Sequence, residues 1–371
     1  MLASSSSVDN NDENFESRLK KRKINPEEAK QEETKLTSEE VDNLFAKLGK
    51  KLKSKIPVAF SLDFEYVQTK GDKFNTPEKM NAPLDVKISY RNEIILVSDS
   101  VNGRIMVFDL NSGLYKSDFF TELAPWQFVL EENYDGEKNE ALICSTGNNY
   151  LKYDLLQLLK SDRSRRATPI WKTKFERFSC FQCCAIKYET SGNTLYCCNS
   201  ATDTIVVYSC ANGSVVKKIT QAVSFEIPND PINYSFARPV GIDYNFNSGA
   251  HEFVLAMMGE SVFYIRESPD GTWVVRNELE TTVVQDGSEK TILDMPCAAL
   301  IDRNNHNVII CSYGTSSMAV FNKEGTFIKS FGARGRNENN RFMDQTSCCL
   351  NEITGELLIV DSHNNRVQIY K

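Results

Sequence analysis

From Ile94 to the last residue, the chain repeats one hydrophobic–polar pattern six times: an apolar run, a short polar turn, and a second apolar run closing on a large residue. The copies are Ile94–Phe108, Ala141–Tyr153, Thr194–Tyr208, Glu252–Ile265, Asn307–Phe321 and Glu356–Tyr370, and five of the six closing residues are aromatic. Successive closing residues are 45, 55, 57, 56 and 49 residues apart. That period is too long for a solenoid turn or a two-helix repeat and suits the four-stranded blade of a β-propeller.

A strand rich in small or β-branched residues precedes the copies, as in Pro239-Val240-Gly241-Ile242-Asp243, Pro296-Cys297-Ala298-Ala299-Leu300 and Ser347-Cys348-Cys349-Leu350. These read as innermost strands, where six backbones converge on one axis and small side chains fit. Turn signals follow them, such as Ser191-Gly192-Asn193, Ser248-Gly249 and Thr354-Gly355. An outer fourth strand follows several copies, for example Thr326–Phe331. The sixth copy stops at Tyr370-Lys371 without one, while Phe64-Glu65-Tyr66-Val67-Gln68 carries the outer-strand pattern ahead of the first copy. The N-terminal strand is therefore expected to complete the last blade, closing the ring and removing its edges. The fold class is all-β, a six-bladed propeller over residues 57–371.

Residues 1–56 break the pattern. The first 36 are rich in Ser, Asn, Glu and Lys without apolar periodicity, which predicts disorder. Lys20-Lys21-Arg22-Lys23 is a nuclear-import-like run within this tail. A short amphipathic helix is predicted over about residues 38–54. Thr37-Ser38 supply the cap, and Val41, Leu44, Phe45, Leu48 and Leu52 form one stripe. It docks on the propeller, binds a partner or lies on a membrane surface.

Charge and cysteine content narrow the function classes. The whole chain carries −7; residues 1–56 hold 12 basic and 11 acidic side chains, so residues 57–371 carry −8. Such a balance disfavours broad nucleic-acid binding and leaves room only for a local basic patch. No apolar run is long enough for a transmembrane helix, and the first residues lack a signal-peptide core. The 11 cysteines include the adjacent pairs Cys183-Cys184, Cys197-Cys198 and Cys348-Cys349, whose side chains point to opposite faces of a strand. Reduced, buried thiols in a cytoplasmic or nuclear protein are the expectation. Cys180-x-x-Cys183 has zinc-site spacing, but no matching second pair follows and the chain has three histidines, so no metal or other cofactor is expected.

Two copies carry a sharper signature: Val97-Ser98-Asp99-Ser100-Val101-Asn102-Gly103-Arg104-Ile105 and Val360-Asp361-Ser362-His363-Asn364-Asn365-Arg366-Val367. These resemble the NHL repeat, in which an Asp closes one strand and an Asn and a basic residue open the next. Phe331-Gly332-x-x-Gly335 adds to the likeness. Elsewhere it is eroded: Ser145, Asn199 and Ser312 stand at the Asp position, and the fourth copy, Leu255-Ala256-Met257-Met258-Gly259, lacks it. Asp99 with Arg104, and Asp361 with Arg366, are read as structural pairs.

The resemblance implies a monomeric recognition platform for other proteins and, in some members, for single-stranded RNA. NHL propellers also occur in ubiquitin ligases beside zinc modules; this chain has no such module, so a ligase role would be that of a substrate-recognition component. The partner-binding candidates lie on loops that such a propeller places on one face: Arg238, Arg334, Arg336, Arg341, Trp126, Tyr313, His363 and Asn365, with Arg177 beside them. RNA binding would need aromatic stacking next to the arginines, for which Trp126 and Tyr313 are the candidates.

Related propellers include hydrolases and lyases with calcium or zinc in the central channel. His251 and His306 fall in turns on the face opposite His363, and no pattern makes Asp85, Asp243, Asp302 and Asn351 converge. No catalytic residue is assigned, and the expected role is a non-enzymatic protein-interaction scaffold.

Overall fold

The computed structural model describes residues 57–71, 76–161, 167–175, 183–227, 230–259, 261–336 and 338–371. The basic run at Lys20–Lys23, the helix expected over residues 38–54, Arg177 and Cys180 lie outside the described residues.

Six four-stranded antiparallel blades surround a central axis. Strand β1 (Tyr66–Lys70) precedes the first blade, which is β2 (Pro83–Ser89), β3 (Ile94–Asp99), β4 (Arg104–Asp109) and β5 (Tyr115–Phe120). Blade 2 is β6 (Phe128–Glu131), β7 (Ala141–Thr146), β8 (Asn149–Asp154) and β9 (Trp171–Lys174), with helix α1 (Leu155–Lys160) inserted before β9. The Asp154 carboxylate caps α1 by accepting from the Gln157 amide at 2.7 Å. Blade 3 is β10 (Cys184–Lys187), β11 (Thr194–Asn199), β12 (Thr204–Ser209) and β13 (Val215–Ile219).

A hairpin, β14 (Gln221–Ile227) and β15 (Asp230–Ser235), then widens the fourth blade. That blade is β16 (Pro239–Asn247), β17 (Ala250–Met257), β18 (Val262–Glu267) and β19 (Trp273–Glu278), and β14 pairs in parallel with β19. A second hairpin, β20 (Thr282–Gln285) and β21 (Ser288–Thr291), stands between blades 4 and 5. Blade 5 is β22 (Pro296–Ile301), β23 (Val308–Ser312), β24 (Ser317–Phe321) and β25 (Phe327–Phe331). The short parallel pair β26 (Ala333–Arg334) and β27 (Arg341–Phe342) leads to β28 (Gln345–Asn351), β29 (Glu356–Asp361) and β30 (Arg366–Tyr370). The sixth blade is completed by β1, which pairs antiparallel with β30 from Tyr66 opposite Tyr370 to Lys70 opposite Val367. Its Lys70 ammonium also donates to the Gly113 carbonyl of blade 1, tying the closing strand to the neighbouring blade.

The apolar runs are continuous because both faces of each middle strand are covered. The buried hydrophobics fall into six clusters, one per junction between successive blades. In β3, Ile94 and Leu96 pack toward blade 2 while Ile95 and Val97 pack toward blade 6. Each copy's closing residue (Phe108, Tyr153, Tyr208, Ile265, Phe321 and Tyr370) is buried in a different cluster. The repeat is thus one large side chain per junction, each burial stabilising by about 1.5–3 kcal/mol.

The first strands β2, β6, β10, β16, β22 and β28 contact one another around the axis. Small residues are needed there: a Cβ added at Gly241 would lie 3.0 Å from the Ala298 Cα and 3.1 Å from the Ala256 Cβ. Acidic residues on these strands staple one blade to the next. Asp85 Oδ2 accepts from the Phe128 amide of blade 2 at 2.8 Å, and Asp243 Oδ2 from the Ile301 amide of blade 5 at 2.9 Å. Asp302 likewise accepts from the Phe60 amide at 2.9 Å.

Candidate functional site

All six first strands begin on the same side of the ring, here called the upper face. The loops leading into them and the turns between second and third strands line that face. The Asp–Arg pairs of the repeat fix these loops. Asp99 Oδ2 accepts from Arg104 Nε at 2.7 Å and from Asn102 Nδ2 at 2.8 Å, while Oδ1 accepts from the Asn81 amide at 2.6 Å. Arg104 reaches on to the Pro77 and Lys79 carbonyls at 3.0 and 2.9 Å. Blade 6 repeats this construction. Asp361 accepts from the Met343 amide at 2.7 Å and from Arg366 Nε at 2.8 Å, and Arg366 donates to the Glu338 and Arg341 carbonyls at 2.7 and 2.9 Å.

Where Ser replaces Asp, the lead-in loop is still held. Ser145 Oγ accepts from the Gln127 amide at 3.2 Å, and Ser312 Oγ from the Asp294 amide at 3.0 Å. Only the ionic half of the pair is lost. In blade 3, Asn199 instead accepts from the Ala201 amide within its own turn at 3.2 Å.

The segment from Gly332 to Asp344 is the most strongly anchored of these loops. Phe342 is fully buried and packs edge-on against Phe331 and Tyr370, with ring centroids 6.0 and 6.2 Å away. Gly332 sits at φ 95°, and a Cβ there would run into the Phe342 ring. The Asn340 amide donates to the Tyr370 hydroxyl at 2.9 Å, and Gln368 Nε2 to the Arg341 carbonyl at 3.0 Å. While the backbone is held this way, Arg334, Arg336 and Arg341 are all exposed. Arg341 makes a 3.5 Å contact with Glu338, and Arg336 Nε lies 2.9 Å from the Met343 sulfur.

Beside this segment, Tyr313 is half-buried. Burial, then the Asp344 carboxylate, raises its phenol pKa, and the Arg334 charge works the other way. Asp344 also forms an ion contact with Nδ1 of the exposed His363. Tyr313 forms one wall of an apolar cavity of about 110 Å³ shared with Val240, Met258, Met295 and Cys297. Arg238 stands at its rim: it precedes β16, its carbonyl accepts from the Met258 amide at 3.0 Å, and its side chain is exposed. Its backbone is held at φ 51°, with its amide donating to Asp203 at 2.7 Å.

The fold therefore groups Arg238, Tyr313, Arg334, Arg336, Arg341 and His363 around blades 4 to 6. Trp126 lies outside that group, and Asn365 shares the blade 6 turn with His363 but directs its side chain to blade 1. Trp126 is at the lead-in to blade 2, its carbonyl accepting from Ser98 at 2.6 Å, and Asn365 holds the Ala82 amide of blade 1 at 2.8 Å. The apolar cavity was not legible as a site in the sequence. Its one signal is Met258, which falls where other copies have a polar turn.

On the lower face the axis opens into a cavity of about 340 Å³, lined from all six blades by residues including Lys87, Leu130, Cys184, Tyr244, Arg303 and Leu350. Its cations are paired with carboxylates. Lys87 Nζ contacts Asp85 at 2.6 Å, and Arg303 bridges Asp243 at 3.5 Å and Glu352 at 3.0 Å. Burial pulls the Lys87 ammonium down, but the Asp85 charge, the Cys349 sulfur and the Asp85 hydrogen bond together outweigh it and the pKa rises. His251, at the start of β17, and His306, in the turn before β23, lie apart on this lower side. Among the described residues, no group of three or more His, Cys, Asp or Glu side chains is arranged to hold a metal. No described helix is long and apolar enough to cross a membrane.

No protein-family model matches the chain, and no curated protein matches its sequence. Solved structures do match. A structural-genomics protein of unknown function from Bacteroides thetaiotaomicron is 11% identical, with a TM-score of 0.52 over 85% of this chain and 74% of that one. BBS1N, solved in complex with ARL6DN, is 12% identical, with a TM-score of 0.47 over 84% of this chain and 97% of that one. At such identities the likeness is one of fold. The chain is a six-bladed β-propeller. Its likeness to the NHL repeat rests on the two Asp–Arg turns.

Proposed function

We propose that this propeller is a non-enzymatic scaffold that binds a protein partner through the upper face of blades 4 to 6. One observation carries the reading: Arg334, Arg336 and Arg341 project from a backbone pinned by Arg366, Gln368, Tyr370 and Phe342. A pre-fixed loop reduces the ordering cost of association, and guanidinium groups offer planar, multiple donors to carboxylates. The adjoining apolar cavity suits a single hydrophobic anchor at the centre of such an interface. A cluster of basic charge in a domain of net −8 favours an acidic partner surface and speeds its approach.

The test is affinity purification of the full chain and of the triple variant Arg334→Glu, Arg336→Glu, Arg341→Glu, each with and without ribonuclease. The variant should lose its protein partners while its thermal midpoint stays near wild type, because exposed loop charges contribute within about ±0.5 kcal/mol. Retention of every partner by the variant would rule out this face. Loss of recovery on ribonuclease treatment alone would favour the single-stranded RNA reading. A ubiquitin-ligase subunit among the partners would support the substrate-recognition role that the NHL resemblance implies.

A further inference from the structure

Two adjacent-cysteine pairs meet at the start of blade 3. Cys183 and Cys184 lead into β10, Cys197 and Cys198 lie near the end of β11, and the antiparallel register sets Cys184 opposite Cys197. The Cys198 amide donates to the Cys183 carbonyl at 3.0 Å. Cys183 and Cys198 are therefore the hydrogen-bonded pair, and Cys184 and Cys197 the adjacent non-hydrogen-bonded one. In that kind of pair the α-carbons are about 4.5 Å apart, within the range of about 4.4–6.8 Å that a disulfide spans. The Cys184 and Cys197 sulfurs are in fact 3.2 Å apart, as thiols.

Surroundings separate this pair from the other cysteines. Cys184 and Cys197 pack into the junction with blade 2, whereas Cys183 and Cys198 face the junction with blade 4. Cys184 also lines the axial cavity, which is open to solvent, while Cys197 is buried behind it. Cys144, Cys210 and Cys311 are fully buried.

We propose that Cys184 and Cys197 are an oxidation-sensitive dithiol that reacts with small hydroperoxides and closes into a cross-strand disulfide. Hydrogen peroxide entering the axial cavity meets Cys184 and Cys349, and Cys184 has a second sulfur 3.2 Å away. The Cys184 sulfur attacks one peroxide oxygen, an S–O bond forms and the O–O bond breaks. The thiol proton leaves with the departing hydroxide as water, and a sulfenic acid remains on Cys184. The Cys197 sulfur then attacks the sulfenic sulfur, an S–S bond forms and the S–O bond breaks. The hydroxyl departs with the Cys197 proton as a second water. The two sulfurs together lose two electrons, and the peroxide gains them. Burial raises the Cys197 thiol well above its ordinary value, so the first attack falls to Cys184, and the 3.2 Å approach of the two sulfurs carries the second step. The product would staple the four-residue β10 to β11. This inference is independent of the upper-face reading.

The test treats the folded full chain with hydrogen peroxide, alkylates remaining thiols in denaturant, and locates links by peptide fragmentation in a mass spectrometer. The expected result is a Cys184–Cys197 link, with two fewer alkylated sites, restored by dithiothreitol, and a raised thermal midpoint. Cys184→Ser and Cys197→Ser should each abolish the link, and Cys183→Ser should retain it. The wild-type map decides the matter even if a serine variant fails to fold. Full alkylation after peroxide, a link between other cysteines, a link persisting in Cys184→Ser, or Cys184 reaching sulfinic acid with Cys197 still alkylatable would each overturn the proposal.

Discussion

Asp361 is fully buried, and its carboxylate accepts from the Met343 amide, Asn364, Arg366 and Gln368. Burial raises its pKa, and the hydrogen bonds and the Arg366 charge oppose that rise. Asp361→Ala would strand Arg366, itself 7% exposed, without a counter-charge. Urea denaturation should show a loss of about 3–5 kcal/mol. By contrast, Lys116→Ala, which removes a 3.3 Å surface contact to Asp109, should change stability by no more than about 1 kcal/mol. His251 supplies a pH test. Burial and then Lys187 depress its pKa, partly offset by Glu267 and Glu189, and its Nδ1 lies 2.8 Å from the Tyr244 hydroxyl. A histidine depressed in the folded state contributes stability that is full above the unfolded value of about 6.5 and is lost as pH falls through the lower folded value. Wild type should therefore lose more stability than His251→Gln when melts at about pH 7 and about pH 5 are compared; equal losses would contradict this assignment. The Asp–Arg turns were legible because their partners are 5 residues apart. The inter-blade staples were not: Asp85 and Asp243 meet amides 43 and 58 residues away, which only ring closure brings together.

At the scale of elements, ring closure by β1 is the feature most exposed to test. Its strand is short, yet it completes blade 6, and Phe60 and Phe64 ahead of it are buried in the junction between blades 5 and 6. Phe64 stacks on Phe331 at 4.3 Å. Deleting residues 1–54 should leave a cooperative folder, whereas deleting 1–72 should lower the thermal midpoint markedly by exposing the β30 edge and these rings. Identical melts of the two deletion variants would contradict closure. The strand pairs themselves were readable from periodicity to within a residue or two. The insertions were not placed, although their trace was present in the spacings of 55, 57 and 56 residues between closing positions, against 45 and 49 elsewhere. The surplus corresponds to α1 in blade 2, hairpin β14–β15 before blade 4 and hairpin β20–β21 after it. None of these repeats, so no periodic argument could find them.

For the whole molecule, the ring places the same set of loops on one face by construction, which is why sequence alone could list Arg238, Arg334, Arg336, Arg341, Tyr313 and His363 together. What it could not rank was proximity around the ring. Trp126 leads into blade 2, away from the arginine group, and the Asn365 side chain is tied to blade 1, while three blades supply the cavity and charges that matter in this account. Nor could sequence distinguish a solvated loop from an anchored one; the anchors are Arg366, Gln368 and Tyr370 on β30, reaching back some 25 to 30 residues. The most direct measurement of the central claim is amide hydrogen exchange on the full chain with and without its purified partner. The account predicts added protection at residues 332–344, 313–316 and 236–240, with the lower-face turns at 90–93 and 352–355 unchanged. Protection confined to those lower-face turns would contradict it.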